Sequence, residues 1–104
     1  MINERPIPDA AFEDVNAVEM LRVWIAANGL HCSMKVGMYR EQFEVPEERA
    51  WGRILADVAR HLANALETGY GADAHASLRE IQECFNNELG KNSPAIKGGF
   101  IDRH

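Results

Sequence analysis

The sequence predicts an α+β fold: an antiparallel β-hairpin packed against two antiparallel helices. Three observations carry this. An Asn28-Gly29 pair sits between two flanks of alternating apolar and polar residues, Met20–Ala26 and Leu30–Val36. A long stripe follows, in which Trp51, Ile54, Leu55, Val58, Leu62, Ala65 and Leu66 recur at three- and four-residue steps. A second, shorter stripe of Leu78, Ile81, Phe85 and Leu89 comes after a glycine-containing connection. Period two is the mark of a half-buried strand and period 3.6 that of an amphipathic helix.

The elements can be justified in chain order. Residues 1–18 hold two of the prolines and an acidic excess, and read as an extended arm with a short helical turn near Ala10–Val15. The hairpin occupies residues 19–38. Asn-Gly supplies the two positive-φ residues of a type I′ turn, with Ala27 opposite Leu30, Ile25 opposite Cys32, Val23 opposite Met34 and Leu21 opposite Val36. A one-residue slip in pairing would mix the apolar and polar sets, so the alternation is expected to fix the register. Residues 39–45 read as a polar connection. Pro46-Glu47-Glu48 then opens a helix over residues 46–68, because proline suits a first turn and the acids complement the helix dipole. Gly69 is its expected stop. Gly52, Ala56, Ala59 and Ala63 form a small-residue edge, read either as the packing site of the second helix or as a dimer seam. Asp73 caps that second helix, residues 73–89. The short link makes the helices antiparallel neighbours. Residues 91–104 form a tail.

At 104 residues the chain is predicted to be one domain. A net charge of −5 argues against nonspecific binding to nucleic acid, although a local basic patch remains compatible with a phosphate. No apolar stretch approaches the eighteen or so residues of a membrane span, and the N-terminus lacks the regions of a signal peptide. Cys32 and Cys84 form no CxxC pair and read as reduced, buried small hydrophobes of a cytoplasmic protein.

A lone hairpin is marginal in water and leaves two open edges. Pairing with a second copy gives a continuous four-stranded sheet, so a homodimer is expected. The apolar hairpin face needs a cover, which the Trp51–Leu66 stripe is expected to supply. The other face carries Arg22, Trp24, His31 and Lys35, with the like charges Arg22 and Lys35 opposed. It reads as a solvated face, as a face covered by the acidic arm, or as a site for a small anion or an acidic protein segment, with Trp24 as its platform.

Catalytic signals are sparse. No phosphate loop, dinucleotide fingerprint, metalloprotease, hydrolase or zinc pattern is present, so no cofactor and no metal site is predicted. His31 and Cys32 are adjacent on a strand and point to opposite faces, which separates imidazole from thiol. Asp57 and His61, one helical turn apart, read as a carboxylate–imidazole pair, as half of a metal site or, most simply, with His61 as a partly buried boundary residue.

The segments Asn16–Ala26 with Gly29–Ser33, and Arg49–Asp57 running into Ala59–Ala65, resemble a family of small bacterial proteins, domain of unknown function 5076. The resemblance covers about residues 16–90. It implies a stand-alone small bacterial protein and brings no catalytic residue, cofactor or partner with it. The leading expectation is therefore a non-enzymatic cytoplasmic binding protein using Arg22, Trp24, His31 and Lys35. The alternatives are an enzyme or enzyme subunit using His61 with Asp57, and a structural dimerisation module.

Overall fold

The computed structural model of the chain describes residues 2–91. The chain is α+β, with elements in the order α1 (Asp9–Phe12), β1 (Leu21–Ala26), β2 (Gly29–Met34), α2 (Met38–Gln42), α3 (Glu47–Tyr70) and α4 (Ala74–Leu89). The described residues fall into two compact units, one reaching to Val36 and one starting at Gly37. The expected tail, residues 91–104, lies outside the described residues apart from Lys91.

In the first unit β1 and β2 form a two-stranded antiparallel sheet. Its register differs from the expected one. Leu21 faces Met34, Arg22 faces Ser33, Val23 faces Cys32, Trp24 faces His31 and Ile25 faces Leu30. The turn is Ala27-Asn28, both with positive φ (49° and 61°), and Gly29 belongs to β2. Moving a turn by one residue shifts every partner by two, which leaves each side chain on its original face. Alternation therefore does not distinguish the two registers, and the turn preference of Asn-Gly was outweighed. The observed pairing places Arg22 opposite Ser33 instead of Lys35 and removes a like-charge contact. Lys35 sits past the ladder, its N–H donating to Met20 O at 3.0 Å.

The second unit is built on α3. Its carboxylate Glu47 accepts from the Gly37 N–H (2.9 Å), the Arg40 N–H (3.0 Å) and Trp51 Nε1 (2.9 Å). The segment expected as a polar connection thus contains α2, whose first backbone donors are satisfied by a side chain from the next helix. Gly37 enters α2 at φ 107°, a left-handed conformation that side chains rarely adopt. These donors hold the Glu47 carboxyl below its ordinary value, the Gly37 hydrogen bond contributing most.

α3 runs two residues beyond the expected end and passes through Gly69 to stop at Gly71, φ 72°. Gly71 N–H bonds to Glu67 O and Ala72 N–H to Leu66 O. A glycine inside a helix costs only about 0.5–1 kcal/mol, which the hydrogen bonds of the extra residues offset. Asp73 caps α4 by accepting from the Ala76 N–H at 2.9 Å, as expected. α4 packs on α3, and of the small-residue edge Ala63 is covered, 2% exposed, whereas Gly52 and Ala56 at its other end are exposed. Cys84 is exposed, not buried, because the packed face of α4 runs through Leu78 and Ile81. Cys32 is half-buried.

Two expected outcomes follow. Ala27→Gly removes a left-handed alanine and should stabilise the protein by about 0.5–1 kcal/mol, read as a higher urea midpoint at unchanged slope. Glu47 ionises more readily folded than unfolded, so its contribution is full above the ordinary carboxylate value of about 4.3 and is lost as pH falls through the folded value. Glu47→Gln should melt lower than the parent at pH 7 by circular dichroism, and the gap should close on acidification. A gap independent of pH would refute the assignment.

Candidate functional site

The polar face of the hairpin is occupied by the protein's own groups. Arg22 pairs with Glu4 of the N-terminal arm, and its Nη2 and Nε reach Glu19 at 3.0 and 3.2 Å. Hydrogen bonds from Arg22 to Glu19 and to Glu4 hold its guanidinium above the ordinary value. Arm residues 3–8 line a shallow cleft of about 230 Å³ along β1, together with Trp24 and Arg22. His31 faces Trp24, and its Nε2 lies 3.0 Å from Ala26 O. Lys35 is exposed and, among the described residues, makes no ion pair. Of the four residues singled out, Trp24 and His31 are thus brought together, while Arg22 is tied to two carboxylates.

α3 carries a second constellation. Positions 57, 60 and 61 are one turn apart, and the helix therefore places the three side chains side by side. Asp57 Oδ1 lies 3.6 Å from Arg60 Nη1, and Asp57 Oδ2 lies 3.4 Å from His61 Nε2. One carboxylate is divided between two neighbours. Both contacts are longer than a normal hydrogen bond, leaving either free to tighten when a ligand arrives. Asp57 is 65% and His61 78% exposed, so the pair is open to water and not a partly buried boundary. Because Nε2 is the nitrogen turned to Asp57, Nδ1 is the one left to meet a substrate.

Arg60 belongs to this trio and also lines a groove of about 350 Å³ between α3 and α4, with Leu55, Leu78, Phe85, Gln82 and Asn86. Sequence reasoning found Asp57 and His61 but missed Arg60, Gln82 and Asn86. Gln82-Asn86 has i, i+4 spacing and is legible as a shared face. Only the packed helices show that this face meets Arg60. Among the described residues no group of three or more His, Cys, Asp or Glu is placed to hold a metal ion, and no helix is long and apolar enough to cross a membrane.

A solved structure from the photosynthetic bacterium Rhodopseudomonas palustrus CGA009, described as a "putative pyruvate dehydrogenase", is similar over 90% of this chain and 89% of its own, with 28% identity and a TM-score of 0.65. This likeness to a protein described as an enzyme corrects the leading expectation. A purely non-enzymatic binding role does not stand, and neither does the leaning against an enzyme; the alternative of an enzyme or enzyme subunit is the better supported. Among curated proteins none matches the chain. The model of a domain of unknown function, DUF5076, matches residues 4–93, which takes in both the hairpin and the helix pair. The chain belongs to the DUF5076 family.

Proposed function

We propose that the chain is a subunit of an enzyme acting on a 2-oxo acid, with His61 moving a proton and Asp57 orienting its ring. The likeness to the Rhodopseudomonas protein, over nine-tenths of both chains, is the observation that carries this reading. Oxidising and decarboxylating a 2-oxo acid takes an electron sink and a two-electron acceptor, which side chains do not supply. Among the described residues no group of three His, Cys, Asp or Glu comes together to hold a metal ion, and the reading gives this chain the proton-transfer pair alone. On this reading that chemistry belongs to another chain of the enzyme.

The surroundings of His61 support a subunit role. Proton transfer is most effective where water is excluded. By helix position His61 borders the apolar stripe of α3, where Val58 is 41% and Leu62 51% exposed. A protein surface closing on that stripe buries the His61–Asp57 pair at its margin. We place the enzyme in the cytoplasm, in keeping with two cysteines that are both free.

The reading includes self-association through the hairpin. Val23, Ile25 and Leu30 are 48%, 82% and 65% exposed. The arm flanks β1, which leaves β2 as the open edge. Lys35 N–H bonds inward to Met20 O, so by alternation Leu30, Cys32 and Met34 turn their backbone groups outward. A second copy pairing there gives four strands in the order β1-β2-β2-β1.

With carboxyl-labelled pyruvate and an electron acceptor, the natively purified protein should release labelled carbon dioxide. His61→Gln should slow that release by about 100-fold or more. No release by the parent protein, or equal release by the variant, would remove His61 from the reaction. Produced by itself, the chain should sediment at twice its 11.7 kDa mass, and Cys32→Pro, which deletes one outward N–H, should shift it towards the single-chain mass. A parent protein sedimenting as one chain overturns the paired sheet.

A further inference from the structure

We infer that the groove between α3 and α4 is the substrate site, and that it takes a 2-oxo acid with a branched or aromatic side chain in preference to pyruvate. This rests on the enzyme reading above and adds to it the place of binding and the class of substrate.

The groove, about 350 Å³, falls within the size range of small-molecule sites, roughly 300–1,000 Å³. Polar residues from both helices line it: Arg60 on α3, whose guanidinium rests against Asp57 at its margin, and Gln82 and Asn86 on α4. A guanidinium is the side chain best shaped for a carboxylate, which it binds through two parallel N–H donors. Side-chain amides donate to a neutral carbonyl oxygen. Carboxylate and adjacent keto oxygen are the two polar groups that define a 2-oxo acid, and the groove offers a donor for each. The remaining wall is apolar, with Leu55, Leu78 and Phe85. Pyruvate brings a single methyl group to that wall and leaves most of it in contact with water. A four-carbon branched chain or a benzyl group covers it.

Arg60 also connects this groove to the proton-transfer pair. Its present partner is Asp57, held at a loose 3.6 Å. A substrate carboxylate that engages Arg60 takes over that contact and releases Asp57 Oδ1. Asp57 is then left to His61 alone, so binding in the groove and alignment of the imidazole are one event.

The test uses the full chain and four probes: pyruvate, 4-methyl-2-oxopentanoate, phenylpyruvate and 4-methylpentanoate, which lacks the keto group. Binding is followed by NMR at the amides of Leu55, Gln82 and Phe85. The two larger 2-oxo acids should bind at least tenfold more tightly than pyruvate, since each extra buried methylene contributes about fourfold and the groove is open on one side. 4-Methylpentanoate should bind at least about threefold more weakly than its keto analogue, for the lost hydrogen bond. Arg60→Gln should weaken 4-methyl-2-oxopentanoate at least tenfold and abolish the shift that it causes at the His61 ring, while Arg53→Gln leaves both unchanged. Equal binding of pyruvate and the larger acids, or of keto and non-keto acids, would overturn the assignment. Pyruvate turnover that persists with no shift in the groove would sink the groove alone. Groove binding in a protein that never turns over a 2-oxo acid would sink the enzyme reading and leave the site standing.

Discussion

One carboxylate organises the second unit. Glu47 sits in the first turn of α3 and reaches backwards to accept two backbone N–H groups from the start of α2. It also holds the indole of Trp51 one turn ahead. A five-residue helix cannot persist on its own hydrogen bonds, because nucleation fixes several residues for a single bond. Here its opening is stabilised by a charge that already belongs to a 24-residue helix. The direction of dependence is clear. α3 is long enough to stand with help from α4, α2 is ordered by α3, and the Trp51 indole is tied to the same carboxylate. The left-handed Gly37 is what allows the chain to bring its N–H to that carboxylate.

Much of this was legible in the sequence and some was not, for identifiable reasons. Helix stripes survive any small error in the ends, so α3 and α4 were found from Trp51–Leu66 and Leu78–Leu89. The cap Asp73 was legible because the side-chain acceptor acts on a neighbour three residues away. The ends that moved are those with two near-equivalent stops: Gly69 and Gly71 both suit a helix terminus, and local sequence does not rank them. The hairpin turn moved for a different reason. Asn28 belongs to both candidate turns, and the choice between Ala27 and Gly29 as its companion was made by contacts across the strands, where Arg22 meets Ser33 and not Lys35. α2 was invisible because its stabilising partner, Glu47, is ten residues away from Gly37.

The candidate site divides along the same line. Asp57 and His61 lie on one helix at a spacing with a fixed geometric meaning, and their approach was readable in advance. Arg60 has the same spacing, but its neighbours on the helix face, Ala56 and Ala63, are small and draw no attention to it. Gln82 and Asn86 gain their meaning only from packing against another element. Groups carried on two regular helices hold their positions better than groups on loops, and a groove walled by α3 and α4 benefits from that. Gly52, Ala56 and Ala59 present almost no side chain to it, and a Cβ at Gly52 would meet open space.

Among the described residues the buried apolar positions are two alanines, Ala50 and Ala63. Unfolding heat capacity grows with the apolar area newly given to water, and a chain in which Val23, Ile25, Leu30, Leu62 and Phe85 are already 48–82% exposed has less to give. The free energy of a single copy should then vary weakly with temperature, with a broad and shallow maximum in place of a steep dome. Melting of such a chain absorbs heat over a wide interval, and a calorimetric trace with a small step between its baselines is its thermal signature.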